Sequence, residues 1–126
     1  MSYQQEKQDI EEWFQTEWIH TPIAFENKTY DGVDEWVRLT IQNGPAFQAS
    51  MGDNPAFRFT GVVFVQIFTT TDTGSGRAVE LVDIAETMFR NLVLTNLRFK
   101  VSQVKKMGKS GELYQINVST EFYRGS

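Results

Sequence analysis

The longest apolar run in this chain, RFTGVVFVQIFTT at residues 58–70, predicts a central strand. Its odd positions from Phe59 to Ile67 form one face, and the even positions Val62, Phe64 and Phe68 are apolar as well. Successive side chains in a strand point to opposite faces, so we expect both faces of this strand to be covered. The pattern therefore places residues 58–70 in the middle of a sheet.

Two segments have the period of an amphipathic helix. In residues 4–19 the apolar side is formed by Ile10, Trp13, Phe14 and Trp18, whereas Glu6 and the other charged residues are assigned to the polar side. Pro22 ends this helix, and His20 is expected at its C-terminus, where the helix dipole favours a cation. From Arg77 to Leu92 a second stripe recurs at spacings of three and four: Ala78, Leu81, Val82, Ala85, Met88, Phe89 and Leu92.

Further strands are predicted on either side of the central one. Ile23–Phe25 reads as a short first strand, and residues 35–43 alternate, with Val37, Leu39 and Ile41 on the apolar face and Trp36 and Arg38 on the polar face. Residues 98–107 and 112–124 flank a Gly-Lys-Ser-Gly turn and form a hairpin. This order predicts an α+β fold: a single domain with a mainly antiparallel, curved sheet packed against two helices.

Two turn-rich segments are candidates for projecting arms. Residues 43–55 contain Asn-Gly-Pro and Gly-Asp-Asn-Pro clusters, which predict either a projecting hairpin or an extended loop. Residues 69–76 are rich in Thr and Gly and predict a second arm, with Ser75 as the cap of the following helix. Loops of this kind commonly carry binding residues.

Composition and motif spacing point away from enzyme chemistry. The chain has no cysteine and a single histidine, His20, so neither a thiolate nor a pair of histidine ligands is present. Gly74 and Gly76 lack the third glycine of a dinucleotide fingerprint, because Val79 stands there. The Gly-Lys-Ser at 108–110 lacks the upstream glycine of a phosphate loop, because Gln103 stands there. We expect no catalytic residue, no metal ion and no cofactor.

The charge balance limits the partners. The net charge is −4 and no basic run exceeds Lys105–Lys106, which disfavours a duplex-DNA interface. Asp31, Asp34 and Glu35 lie close together, but their spacing is not that of a calcium-binding loop. No apolar run approaches the roughly 18 residues of a membrane span. We therefore expect neither a specific nucleic-acid partner nor a membrane partner.

The run TGVVFVQIFTTTDTGSGRAVELVDIAETMFRN at residues 60–91, with IAFEN at 23–27 and DEWVRLTI at 34–41, resembles the tail terminator-like proteins of long-tailed bacteriophages. The likeness in the order of elements covers residues 5–122. Its most specific pieces are Phe25-Glu26-Asn27, Trp36-Val37-Arg38, and the Gly61 strand that leads into a TGSGR turn.

The resemblance implies a structural role. Members of that family are small α+β proteins that form a hexameric ring on the head-proximal end of the tail tube, stop its polymerisation and offer a surface to the head. It implies a protein without enzymatic activity, whose partners are copies of itself in a homo-hexamer, the tail tube protein, and a head-tail connector or head completion protein. The expected location is the virion, at the head-proximal end of the tail, after assembly in the host cytoplasm.

A ring interface joins different patches of neighbouring copies, and exposed sheet edges and projecting arms are the natural places for it. The candidate interface residues are Trp36, Arg38, Phe47, Met51, Phe57, Arg58, Thr71, Asp72 and Arg77. Trp36 is expected to be exposed as an interface anchor. The substitutions Arg77→Glu and Trp36→Ala are expected to spare folding and to block tail maturation. The 16 acidic residues also suggest a ring lumen that repels DNA.

Two alternatives remain open. One is a different neck or tail-completion protein of the same fold, which would differ only in its partner. The other is a small-ligand-binding α+β protein or enzyme, in which the helices close one face of a curved sheet over an apolar pocket. The assembly state separates these alternatives, because a pocket protein is usually a monomer or a closed dimer.

Overall fold

The computed structural model describes residues 1–25, 35–48, 57–70, 74–110 and 113–125. These residues form two helices, α1 (Tyr3–Glu17) and α2 (Gly74–Phe89), and six strands: β1 (Ile23–Phe25), β2 (Glu35–Gln48), β3 (Phe57–Thr70), β4 (Val93–Leu94), β5 (Leu97–Ser110) and β6 (Leu113–Gly125). The strands form one curled sheet in the order β1-β2-β3-β6-β5-β4. β1 runs parallel to β2, and all other neighbours are antiparallel. The predicted α+β fold is confirmed.

β3 is central, as its apolar run predicts, with β2 on one side and β6 on the other. Val63, Val65 and Ile67 are fully buried in the core that the sheet forms with both helices. On the opposite face the even-numbered residues, Phe64 and Phe68 among them, are half-buried. The sheet therefore has a helix-covered face and a second face, called here the open face, on which apolar side chains of β3 keep part of their exposure.

α1 begins and ends where local hydrogen bonds favour it. The hydroxyl of Ser2 accepts a bond of 3.0 Å from the backbone N–H of Gln5, which caps the first turn. Trp18 follows the last turn with an extended backbone, and its indole donates to the Thr21 hydroxyl over 2.9 Å. His20 is exposed and lies three residues beyond the helix, edge-on to the ring of Trp18. The assignment of His20 to the helix C-terminus is wrong. The helix already ends at Glu17, because the backbone becomes extended at Trp18, whose side chain is buried in the core.

The first candidate arm is a hairpin. β2 and β3 continue to pair beyond Asn43 as far as Gln48 and Phe57, with an irregularity between Asn43 and Ala46. Of the two options for residues 43–55, the described part follows the hairpin option rather than the extended loop. The Thr60 hydroxyl donates to the carbonyl of Pro45 over 2.7 Å, which fastens the two strands at the irregularity.

The second candidate arm is wrong for the residues that the structure describes. Thr69 and Thr70 still pair within the sheet, and 74–76 already form the first turn of α2. Thr69 lies opposite Glu35 of β2 and Tyr114 of β6, so the sheet continues almost to the helix. Ser75 is accordingly inside α2 and is not its cap. The sequence analysis also does not predict β4, a two-residue strand beside β5.

Within the described residues, no helix is long and apolar enough to cross a membrane. The polar turn at 27–34 and the candidate residues Met51, Thr71 and Asp72 lie outside the described residues.

Candidate assembly interface

Three of the candidate residues lie together where β2 and β3 extend beyond the irregularity, at 44–48 and 57–60, called here the hairpin extension. Phe47 is 49% exposed and Phe57 is 42% exposed. Phe47 lies opposite Arg58, whereas Phe57 lies opposite Gln48, so the two rings are on opposite faces of the hairpin. The guanidinium carbon of Arg58 lies 5.0 Å from the ring centroid of Tyr123. The hairpin extension therefore presents an exposed aromatic ring on each face.

Trp36 and Arg38 form a separate cluster on the open face, nearer the start of β2. The ring of Trp36 stacks on Phe68 with centroids 4.2 Å apart and an interplanar angle of 16°. The guanidinium carbon of Arg38 lies 5.2 Å from the Trp36 centroid and 5.9 Å from that of Phe68. The expectation of an exposed Trp36 is wrong: it is only 8% exposed, because a cross-strand ring and a guanidinium cover it. Truncation to alanine would remove this packing, so Trp36→Ala does not spare the fold.

Arg77 joins the start of α2 to the start of β2. Its Nε lies 3.0 Å from Glu35 Oε2 and its Nη2 lies 2.9 Å from Glu35 Oε1, which is a two-point contact. Nη1 adds a bond of 3.1 Å to Glu80. The hydrogen bonds to the Glu35 side chain are the main cause that raises the pKa of Arg77. Arg77→Glu would place a third carboxylate between those of Glu35 and Glu80, so we expect that substitution to lower stability as well as to change the surface.

A buried ion pair between α1 and β6 was missed by the sequence analysis. Glu6 and Arg124 are each 1% exposed, and Arg124 Nε donates to Glu6 Oε2 over 2.5 Å. Asn43 Nδ2 donates to the other oxygen of Glu6 over 2.7 Å, and Arg124 Nη1 donates to the carbonyl of Met1 over 3.0 Å. The assignment of Glu6 to the polar side of α1 is wrong.

A positional signal for this pair was present in the sequence. Glu6 precedes the buried residues Ile10, Phe14 and Trp18 at a constant spacing of four. Arg124 continues the even-numbered, core-facing positions of β6. The two positions together therefore indicate that both charges lie inside, although residue type alone predicts that they are exposed.

The outer side of β5 is an exposed sheet edge. Within the described part of the chain, β4 pairs only with Leu97 and Arg98, and no other strand pairs with the outer side of β5. The stretch from Lys100 to Met107, called here the β5 edge, is exposed at nearly every residue. Three of its exposed residues are apolar, and Val101 reaches 69% exposure. Such an edge can accept a partner.

The opposite side of the molecule carries an open groove between α1 and β1. The groove has a volume of about 630 Å³ and is lined by polar residues of α1, including Gln8, Glu11 and Glu12, together with Phe25 of β1. Gln8 Nε2 donates to Glu12 over 3.0 Å, and Lys7 lies 3.9 Å from Glu11. This groove, called here the α1 groove, is shallow and charged, unlike the enclosed apolar pocket that a ligand-binding protein would need.

A solved protein structure has the same fold as this chain. The two superpose with a TM-score of 0.73 at 16% sequence identity, over 100% of this chain and 96% of the other. No protein-family model matches the sequence, and no curated protein sequence matches it. At 16% identity the likeness shows the fold alone, and it shows that all the elements belong to one architecture.

The candidate residues thus separate into distinct groups. Phe47, Phe57 and Arg58 come together in the hairpin extension, whereas Arg77 forms an ion pair with Glu35 of the same chain.

Among the described residues, no group of three or more His, Cys, Asp or Glu side chains could hold a metal ion. The β5 edge was not among the predicted sites, although its exposed valines, methionine and lysines were visible in the sequence.

Proposed function

We propose that this protein is a tail assembly protein of a long-tailed bacteriophage. In this proposal it closes the head-proximal end of the tail tube as a homo-hexameric ring, ends tube polymerisation and provides the joining surface for the head. The observation that carries the proposal is a small α+β domain whose sheet has an exposed edge and a projecting hairpin with exposed aromatic rings. These features are what the sequence resemblance to tail terminator-like proteins leads us to look for.

The hairpin extension is the surface that we assign to the tail tube protein. Phe47 and Phe57 are exposed on opposite faces of the hairpin. Arg58 lies opposite Phe47 in the strand pairing and follows Phe57 in the chain. Aromatic residues and arginine dominate the binding energy of protein interfaces. A hairpin that holds both types of residue away from its own core is suited to insertion between subunits of a partner.

The two alternatives differ in how well they fit. Another neck or tail-completion protein of this fold would use the same surfaces with a different partner, so only the partner distinguishes it. The ligand-binding alternative is less favoured. The space between the sheet and the helices holds packed apolar side chains, and the α1 groove outside it is lined mainly by amides and charges.

The proposal is tested first by assembly. The purified protein is studied by light scattering over a wide concentration range and by negative-stain electron microscopy, alone and with purified tail tubes. We expect six-copy rings with a central hole, and tubes that carry a ring at one end only. A stable closed dimer, or a monomer that forms no ring even when tubes are added, would overturn the proposal.

The tube contact has its own variants. Phe47→Ser combined with Phe57→Ser should leave rings intact and weaken tube capping by about 30-fold or more, the loss expected for truncated hot spots. The matched control is Val79→Ser, which removes an exposed apolar side chain from α2. Equal capping by the double variant and the control would exclude the hairpin extension as the tube contact.

A further inference from the structure

Positive and negative charges are separated between two elements of this chain. β5 contains five of the twelve basic residues, and no acidic residue occurs from Leu97 to Ser110. α1 contains five of the sixteen acidic residues and a single basic residue, Lys7. Because the whole chain has a net charge of −4, a strand with only basic charges is a local exception. Separation of this kind favours contact between unlike patches on different molecules.

The basic β5 edge and the acidic α1 groove lie toward different ends of the strand order. β5 lies near one end of the strand order and β1 lies at the other end. Glu11 and Glu12 line the α1 groove beside Phe25, which belongs to β1. Lys105 and Lys106 are exposed on the β5 edge. Among the described ion pairs none joins Lys105 or Lys106 to α1, so the basic and acidic patches are available to meet between consecutive copies.

The β5 edge is unsuited to pairing with itself. Antiparallel pairing of two β5 strands about a two-fold axis between Lys105 and Lys106 would place each of these lysines opposite the other in the partner copy, and like charges across a strand pair are destabilising. Lysine on an edge strand commonly prevents such association. Here, however, Val101, Val104 and Met107 are exposed on the same stretch and favour being covered. Lysine repulsion disfavours pairing of the β5 edge with a second β5 edge, while its exposed apolar side chains favour a contact. The two properties together favour binding to a different surface that carries acidic residues.

We propose that the β5 edge of one copy seats in the α1 groove of the next copy. Lys105 and Lys106 project from opposite faces of the edge, so they flank the groove and meet Glu11 and Glu12, while apolar side chains of the edge lie against Phe25. The contact is heterologous, so its repetition generates a ring or a filament rather than a closed dimer. This inference rests on the proposed ring and names the surfaces that join its copies.

A charge exchange tests the inference. The variant Lys105→Glu with Lys106→Glu should keep its melting temperature, because both lysines are exposed, and should weaken copy–copy association by about 10- to 100-fold. Adding Glu11→Lys and Glu12→Lys to the same chain should restore association, because each contact then has its charges exchanged. Light scattering and sedimentation measure the association. The control is Asp83→Lys, an exposed charge reversal in α2 that should leave association unchanged.

Each outcome decides between the inference and the proposed function. Rings that ignore the lysine reversal overturn the inference and leave the proposed function standing. Rings that the reversal disrupts, and that the second pair of substitutions does not restore, overturn the assignment to the α1 groove. Disruption followed by restoration supports the inference, even if the rings fail to cap tail tubes and the proposed function falls. A wild-type protein that never associates, with or without tubes, overturns both.

Discussion

At the scale of single residues, the environment of Arg124 shows how a buried charge is accommodated. Its guanidinium bonds to Glu6, and the guanidinium carbon lies 4.2 Å from the Phe59 ring and 5.2 Å from the Tyr3 ring. Asn43 of β2 donates a hydrogen bond to the other oxygen of the Glu6 carboxylate. A buried pair gains little net stability over an apolar one, but the loss of one partner leaves an uncompensated charge.

We therefore expect Arg124→Met to lower the free energy of unfolding by about 3–5 kcal/mol, because Glu6 stays buried without its cation. The measurement is urea denaturation followed by tryptophan fluorescence. Lys100→Met is the control: its partner Glu121 lies 3.8 Å away and both side chains are exposed, so the change should stay below about 1 kcal/mol. Similar losses for the two variants would show that Glu6 finds another partner or reaches water.

Gly61 is a second residue whose role is steric. A Cβ atom there would lie 2.4 Å from Cζ of Phe122 and 3.1 Å from the carbonyl oxygen of Gln42. Phe122 is buried in the core and cannot move freely. Gly61→Ala should therefore cost about 1–3 kcal/mol by overpacking.

The control for Gly61 is Gly76→Ala. No atom lies within 4 Å of a Cβ at Gly76, which is in the first turn of α2. Because alanine favours the helix over glycine, this variant should be unchanged or more stable by up to about 1 kcal/mol. Thermal unfolding of both variants measures the difference. Equal melting temperatures of the two variants would mean that the Phe122 ring moves aside without loss of stability.

At the scale of elements, Arg77 and Glu35 fix α2 to β2. Arg77→Glu should lower the free energy of unfolding by about 1–3 kcal/mol, because it removes charge-assisted hydrogen bonds and adds repulsion with Glu35 and Glu80. Arg77→Lys keeps the charge but cannot make the two-point contact, so it should lose less. Denaturation curves of the two variants give the comparison, and an Arg77→Glu variant as stable as wild type would contradict it.

The same pair sets a pH dependence. Glu35 raises the pKa of Arg77, so the contribution of its charge is fully present below the ordinary arginine pKa and is lost only above it. Lysine titrates near about 10.4. Arg77→Lys should therefore lose additional stability as the pH rises from about 9 to 11, relative to wild type. Parallel curves over this range would mean that the pair contributes nothing to stability.

Amide hydrogen exchange tests the β5 edge as an element. In the isolated chain, amides on the outer side of β5 beyond Phe99 should exchange rapidly, because β4 pairs only as far as Arg98 among the described strands and Phe99 donates to the Leu92 carbonyl. In the assembled ring they should become protected, whereas the amides of β6, paired on both sides, should not change. Protection confined to other elements on assembly would exclude the β5 edge from the contact.

Clean periodicity made most elements predictable from sequence. α1, β2, α2 and β6 follow from one apolar face with a constant period, and β3 follows from a continuous apolar run. β4 does not, because it depends on a turn on each side, in which Asn91 and Thr95 have positive φ without being glycine. The burial of Trp36 depends on Phe68, a neighbour supplied by strand pairing.

The candidate interface was partly predictable. Exposed Phe47 follows from its place in the turn-rich segment 43–55, a predicted projecting arm, and Phe57 follows two residues after that segment. The β5 edge does not, because irregularities between Phe99 and Ser102 and between Lys106 and Gly108 interrupt its alternation. An interrupted alternation gives no face to assign in the sequence, although in the structure it leaves apolar side chains exposed.

At the scale of the whole molecule, the separation of basic β5 from acidic α1 predicts salt-sensitive assembly. The Debye length, over which salt screens charges, falls from about 10 Å at 0.1 M to about 3 Å at 1 M ionic strength. The dissociation constant of the ring should therefore rise by about tenfold or more in sodium chloride over that range. Sedimentation measures it. Tighter association at high salt would instead indicate a mainly apolar contact.

The link between Glu6 and Arg124 also has a consequence for protein synthesis, because the two residues are 118 positions apart. A ribosome delivers α1 first and β6 last. Until β6 is synthesised, Glu6 lacks the Arg124 side chain that pairs with it, and β3 and β5 lack the strand that pairs with both of them. We expect a nascent chain to remain open until β6 emerges, so that any association between copies follows the synthesis of that strand.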